Sequence, residues 1–337
     1  MTAATLVQPE KTKRPGDRDV QPRIVLVGSI NMDLVVRAPE MPLPGQTVLG
    51  HNFSTIPGGK GANQAIAASH CGAQVSLIGR VGNDDFGGRL LMGLKAHGVN
   101  TAAVSVSEGI STGTAMIIVN DNGENAICVA GGANKLLNIE DIDDQLELFT
   151  RADLVLMQME IPYETVLYTI QLARRYNIPV VLNPAPAPTA EAMKHAPLNP
   201  GLFDVDILVP NEHEIAQISP VSSGPGDDVY AAKMASFSLI SRGVRTIITT
   251  LGHRGTLVVT EDQQSFCVPA FKTKIVDTTG AGDAFCGALA VAYTRDKDLR
   301  QATRFAAAAG ALACSRFGAQ PSMPRLEAIT TLLKRSI

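Results

Sequence analysis

The chain has little of what marks a secreted, membrane-spanning or nucleic-acid-binding protein. Its 337 residues include five cysteines, at 71, 128, 267, 286 and 314, an odd and scattered set with no CxxC pair. That usage excludes a disulfide framework or structural zinc site as the organising feature and fits a reducing compartment. The six histidines form no HExxH or similar metal-ligand spacing. No apolar run reaches the roughly 18 residues needed to span a bilayer. A dominant charge is also missing. The 29 basic and 32 acidic residues leave a formal net charge of −3, so electrostatics gives no reason to expect nucleic acid or a polybasic membrane contact. What remains is 45% hydrophobic and 18% charged, a composition that can fill one large α/β core or two smaller ones. The expectation is a soluble, cytoplasmic protein with neither nucleic-acid nor membrane partners.

Residues 1–22 carry Lys11, Lys13, Arg14 and several prolines without apolar periodicity, and they lack the apolar stretch of a secretory signal. They read as a disordered extension ahead of a domain covering residues 23–337. Residues 23–28 then form a short apolar run ending in glycine, as a buried parallel strand does. Runs at 74–79, 154–159, 179–182, 206–209 and 246–251 repeat the theme. Helix-length stretches separate them, such as residues 86–97 and 163–176, where Val166, Leu167, Ile170 and Ala173 share one face. This alternation predicts an α/β fold with a mostly parallel central sheet covered by helices on both faces. Two segments break the rhythm. Residues 113–120 and 124–130 flank Asp121-Asn122-Gly123, a hairpin signal in which Asn-Gly can supply positive φ angles. Residues 34–56 also look extended, and together these pieces predict a small projecting β-sheet suited to a lid or a dimer surface.

The strongest chemical signal is Asp277-Thr278-Thr279-Gly280-Ala281-Gly282-Asp283, which opens a long apolar helix near 281–293. Small residues at a helix start leave N–H groups uncovered where the dipole favours anions. Asp283 could merely complement that dipole, but beside an anion cradle it can also accept a hydroxyl proton. No GxxxxGK[ST] occurs, and Phe285 breaks the dinucleotide fingerprint, which weakens a dehydrogenase reading. A second glycine-rich stretch, Pro57-Gly58-Gly59-Lys60-Gly61-Ala62-Asn63, leads into a helix expected at 64–71; Asn63 could be its N-cap and Lys60 a solvated charge. Asn31 and Asp33, two apart in an extended segment, point the same way and offer an acceptor-rich pair to polyol hydroxyls, unless they form an Asx turn. Glu160 ends a strand at the sheet's carboxyl edge. Asn211 and Glu214 have the spacing of a capping box, and they also place an amide and a carboxylate where hydrated magnesium could be held. Thr250, Leu251, Gly252, Arg254 and Gly255 close another strand.

Taken together, these motifs resemble the ribokinase-like (pfkB-type) carbohydrate kinase family. Gly-Gly-Lys-Gly-Ala-Asn (58–63) and Asp-Thr-Thr-Gly-Ala-Gly-Asp (277–283) are its two signatures, and the resemblance covers about residues 23–333. It implies ATP-dependent phosphorylation of D-ribose at the 5-hydroxyl, with Asn31, Asp33, Gly59, Lys60, Asn63 and Glu160 binding the sugar. It implies Asp283 as base, with Gly280, Ala281 and Gly282 donating N–H bonds to the transferring phosphoryl group. Asn211, Thr250, Leu251, Gly252, His253, Arg254 and Gly255 match nucleotide-contacting positions, and Glu214 matches the acid that positions Mg2+ through water. A K+ site is implied at Asp277, Thr279, Ala313, Arg316, Gly318 and Ser322. The lid segments 34–56 and 113–130 match those that form a homodimer interface in many members. Ala307 departs from the pattern, standing where some members have a histidine near adenine. The alternatives are a kinase for deoxyribose, fructose or a nucleoside, and a sugar-binding regulator without turnover. An aromatic content of 4% and the polar Asn31/Asp33 pair favour a hydroxyl-rich sugar over a nucleobase.

Overall fold

The computed structural model describes residues 21–195, 197–221 and 228–335. Most of the expected N-terminal extension, residues 1–20, lies outside them. Pro22, within that segment, is buried, and its carbonyl accepts a hydrogen bond from Gln74 N–H at 2.8 Å. The strands are β1 (Arg23–Val27), β2 (Asn31–Ala38), β3 (Asn52–Gly58), β4 (Gln74–Gly82), β5 (Val99–Asn100), β6 (Val104–Ser107) and β7 (Gly113–Asn120). They continue with β8 (Asn125–Ala130), β9 (Leu154–Met157), β10 (Val180–Leu182), β11 (Ile207–Leu208), β12 (Thr246–Thr250), β13 (Thr256–Thr260) and β14 (Ser265–Val268).

Ten of these form one sheet in the order β14-β13-β12-β11-β10-β9-β1-β4-β5, with β6 also on β4. From β12 to β5 the pairings are parallel, as the apolar runs predict. β1 shows why both faces are covered. Ile24 and Leu26 point into one core with Ile66, Leu77 and Leu289, while Val25 and Val27 point into another with Phe149, Ile170 and Phe203. Alternate residues of a central strand face opposite sides, so an unbroken apolar run requires helices on both. The antiparallel edge β12-β13-β14 is a finding beyond the sequence reading. Its last hairpin turns through Gln263 at φ 62° rather than through glycine, so the usual turn signal is missing there.

A separate four-stranded sheet, β3-β2-β7-β8, forms the projecting layer. β2 starts at Asn31, so Asn31 and Asp33 belong to this lid sheet itself. Its β7–β8 hairpin uses positive φ only at Gly123 (81°) and not at Asn122. Gly123 N–H donates to Asn120 O at 2.9 Å, and the extra residue is absorbed as a bulge rather than as an Asn-Gly two-residue turn. No helix among the described residues is long and apolar enough to cross a membrane.

Candidate active site

The parallel strands end along one edge, where open α/β sheets bind ligands. Glu160 follows β9, Asn183 follows β10, Asn211 follows β11, and Thr250 ends β12. Facing them are two helices, Lys60–His70 and Ala281–Asp296.

The first helix begins four residues earlier than the sequence suggested. Gly59 (φ 87°) occupies the N-cap position, and Lys60 to Asn63 form the first turn. Asn63 is therefore not a cap. Glycine at 61 hid the helix from propensity reasoning, yet packing demands it, since a Cβ there would lie 2.5 Å from Ser29 N. The side chains freed by this geometry turn to Asp283. Asn63 Nδ2 donates to its Oδ2 at 2.8 Å, and Gln64 Nε2 donates to its Oδ1 at 3.0 Å.

Asp283 sits in the first turn of the second helix and is buried. Burial raises its pKa, and Lys60, Asn63 and Gln64 only partly oppose that rise. For Lys60 the balance is reversed. Burial would lower its ammonium, but Asp283, Glu160 and Glu214 outweigh it and hold the group above its ordinary value. Gly280 adopts φ 77°, and a Cβ there would meet Met323 Cε at 3.0 Å. Gly282 differs, because a Cβ would meet nothing within 4 Å. It lines a cavity of about 210 Å³ shared with Lys60, Asn183, Asn211, Glu214, Thr250 and Asp283, so its bareness is space the chain's own packing does not need. Ala281 N–H turns back onto Thr278 O at 3.2 Å, which leaves it the least available of the three expected cradle donors.

A second cavity, of about 300 Å³, lies between lid and sheet and is lined by Asn31, Asn134, Lys135, Glu160 and Ile161 among others. Glu160 is fixed by Ser29 Oγ at 2.6 Å and Lys60 N–H at 3.2 Å. Asn134 takes Ile30 N–H on its Oδ1 and donates through Nδ2 to Ile30 O and Asn31 Oδ1. Asn31 thus has its oxygen occupied and offers Nδ2 as a donor. With Asp33 it makes a donor–acceptor pair, not the acceptor-rich pair expected. Burial, then Glu160 and Asp283, push the Asp33 carboxyl up to about 7 against the pull of Lys60.

At the end of β11, Asn211 caps the helix Glu212–Ile218 in a full capping box with Glu214, as the spacing indicated. Asn211 also bridges to Thr250. Gly252, His253 and Arg254 form a 3-10 turn closed by Gly255 at φ 93°. The Leu251 side chain packs into a core with Ala232, Leu257 and Val259, so only its backbone can face a ligand. Arg254 pairs with Glu212. Asp277 clasps two loops: Oδ1 accepts from Thr279 N–H (2.9 Å) and Oγ (2.7 Å), and Oδ2 accepts from Gly318 N–H (2.8 Å). Burial would raise this carboxyl, but those hydrogen bonds hold it below its ordinary value. Cys314 O accepts from Asp277 N–H, Ala313 O from Arg316 N–H, and Ser322 Oγ donates to Ala319 O. Asp277 thus joins Thr279, Cys314 and Gly318, Arg316 bonds to Ala313 at the end of its helix, and Ser322 bonds within its own 3-10 turn. Gln64, Asn134 and Asn183 went unassigned from sequence. The signal for Gln64 was its position after Asn63, the two making a polar pair just ahead of the apolar run Ala65-Ile66-Ala67-Ala68.

A buried carboxylate at a helix start, lining a glycine-lined cavity beside bare backbone N–H groups, suits an enzyme that transfers an anionic group to a small polar molecule. The model for pfkB family carbohydrate kinases matches residues 21–326, and the chain belongs to this family of phosphotransferases. It is 39% identical to ribokinase of Bacillus subtilis over 312 residues, 92% of this chain and 99% of that one. It is 37% identical to deoxyribokinase of Salmonella typhi over 304 residues, 90% of this chain and 96% of that one. Among solved structures, that of Arabidopsis thaliana ribokinase complexed with ribose and ATP superimposes with a TM-score of 0.83 at 30% identity, covering 94% of this chain and 99% of that one.

Proposed function

We propose that this chain transfers the γ-phosphoryl group of ATP to the 5-hydroxyl of D-ribose, giving D-ribose 5-phosphate and ADP. The observation that carries the reading is Asp283, whose carboxylate lines the glycine-lined cavity with both oxygens held by amides of the opposing helix. The sugar enters by the lid cavity against Asn31 and Glu160 and reaches past it to Asp33, Gly59, Lys60 and Asn63 on the side toward Asp283. The ATP phosphates occupy the cavity beside Gly282, with the nucleotide running over Asn211, Thr250 and the 251–255 turn. Asp283 accepts the hydroxyl proton as the oxygen attacks the γ-phosphorus. The Gly280 and Gly282 N–H groups and the helix dipole then stabilise charge on the phosphoryl oxygens, with Ala281 N–H a weaker contributor. Phosphoryl transfer needs mainly positioning and charge stabilisation, which this arrangement supplies.

Magnesium, held through water by Glu214, would neutralise phosphate charge. Glu214 fits, being a half-buried acid that lines the phosphate cavity and whose Oε2 takes Asn211 N–H at 2.8 Å, with Oε1 not used in that bond. An alkali cation fits the Asp277, Thr279, Ala313, Arg316, Gly318 and Ser322 cluster, whose donors are a carboxylate, hydroxyls and backbone carbonyls. The lid supports a homodimer: all of β8 is exposed, with Ile127 at 56%, and Met116 on β7 is 60% exposed. Such an apolar edge strand invites pairing, and sedimentation equilibrium reads the outcome directly. All five cysteines are free, which supports a cytoplasmic setting, checked by cell fractionation.

The deciding experiment measures ADP release with magnesium-ATP and D-ribose, 2-deoxyribose, fructose or adenosine, in potassium and in sodium at equal ionic strength. Ribose-dependent turnover that is faster in potassium is expected. Preference for 2-deoxyribose would move the specificity, and equal rates in both salts would remove the ion's role.

Asp33 gives a pH prediction. Its carboxyl binds a proton more tightly folded than unfolded, so it opposes folding fully above about pH 7 and not at all below its unfolded value near 3.8. Asp33→Asn should therefore raise Tm at pH 8, with the gain shrinking as pH falls toward 4, while weakening sugar binding at least tenfold. A Tm difference independent of pH would contradict this.

A further inference from the structure

Behind Asp283 lies a file of fully or nearly buried amides that phosphoryl transfer, as described, leaves unused. Gln64 Nε2 donates to Asp283 Oδ1 at 3.0 Å and to Asn183 Oδ1 at 3.2 Å. Gln158 Nε2 donates to Gln64 Oε1 at 2.7 Å, and Asn183 Nδ2 donates to Val209 O at 2.8 Å. Gln64 and Gln158 are 0% exposed.

The polarity of this file is fixed from both ends. An ionised carboxylate only accepts, so Gln64 must turn its nitrogen toward Asp283. Its oxygen then faces Gln158, which must present nitrogen. At the other end Val209 O requires a donor, so Asn183 turns its nitrogen there and its oxygen toward Gln64. A neutral Asp283 carrying its proton on the Gln64 or Asn63 side would put donor against donor. The file therefore opposes protonation on the Gln64 face, and with Asn63 Nδ2 donating on its own side the lone pairs left without a donor are those toward the substrate cavity.

The file also carries a cost that packing alone does not explain. Gln158 Oε1 is buried without a partner, pressed into a slot where a Cβ on Gly28 would lie 2.2 Å away. An apolar side chain would avoid that orphan. A buried, imperfectly satisfied polar group is expected where an oriented dipole is needed for function.

We propose that Gln64 is a positioning residue for the base, oriented by Gln158 and Asn183, and that it directs the transferred proton to the cavity-facing lone pair of Asp283. The proposal rests on Asp283 being the base. Charged and titratable groups facing that carboxylate are Lys60, Glu160, Glu214, Asp33 and Cys286, and none lies on the Gln64–Gln158 file.

The test compares Gln64→Leu, Gln64→Glu, the double variant Gln64→Leu/Gln158→Leu, and Asp283→Asn. kcat is measured against pH with both substrates saturating, so that Asp33 titration in the free enzyme does not enter, and Tm is recorded for each. Gln64→Leu should lose about tenfold or more in kcat, keep both KM values within about twofold, and move the acid limb of kcat upward by about one unit. The double variant removes the Gln158 donor left orphaned in Gln64→Leu. It should recover much of the lost Tm without recovering kcat or the limb, which separates positioning from stability. Gln64→Glu, nearly isosteric, places a second carboxyl beside Asp283 so that the pair shares a proton, and its acid limb should move further upward. If Gln64→Leu does not fold, the Gln64→Glu profile decides. An unshifted limb and near-normal kcat in the folded Gln64 variants, with Asp283→Asn inactive, overturns the positioning role alone. Turnover retained by Asp283→Asn removes the base and this proposal together.

Discussion

Asp283→Asn is expected to lower kcat by about 10²–10⁴, with the KM values for sugar and ATP changing far less and the folded state hardly affected. The rate falls because the hydroxyl loses its proton acceptor in the transition state, while the surfaces that bind both substrates stay in place. Stability should stay close to wild type because two effects oppose each other. Removing a buried carboxylate whose pKa is raised by burial relieves a penalty that exists at neutral pH. The new amide, however, must set its NH₂ against the Gln64 Nε2 donor or make the Asn63 amide turn to accept it. Parallel ADP-release kinetics and thermal melts check both halves, and turnover within about threefold of wild type would rule out the base assignment.

Gly287→Val should damage both folding and chemistry. Gly287 lies one turn beyond Asp283, where the Ala281–Asp296 helix crosses the Lys60–His70 helix. A Cβ at 287 would lie 2.6 Å from Ala67 Cβ, 2.7 Å from Gln64 O and 2.8 Å from Ala68 N. Two of those atoms are backbone, so the helices must separate. Overpacking of this kind costs about 1–3 kcal/mol. The same separation draws Asn63 and Gln64 away from the carboxylate they hold, and a displacement near 1 Å can cost about 10²-fold in rate. Activity normalised to the folded fraction by circular dichroism should therefore fall further than stability alone accounts for. If normalised activity is unchanged, the helix crossing does not set the geometry of the base.

How much of this was legible in the sequence varies by element. The buried strands were, because β1 and β9 are unbroken apolar runs, and only two-sided burial supports such runs. The cradle was also legible, since Gly-Ala-Gly-Asp at a helix start has an electrostatic meaning independent of tertiary context. The Lys60–His70 helix was placed too late because Gly61 reads as loop, and its real reason, close contact with Ser29, comes from a distant strand. Likewise, the turn of Asn31 from acceptor to donor is imposed by Asn134, 103 residues away in sequence, and no local pattern announces it. The amide file escaped for the same reason: its members come from three separate segments, and glutamine alone carries no signature.

The hydrogen bond between Asn63 and Asp283 joins residues 220 positions apart. β1 lies mid-sheet between β4 and β9. During synthesis, the Lys60–His70 helix waits for a partner that is made only some 220 residues later. Contacts of such range are slow to close and are not rewarded until late. Catalytic competence should thus arise only once residue 283 and its helix have emerged, and a nascent chain that stalls before residue 283 leaves an exposed, alanine-rich helix for chaperones to cover.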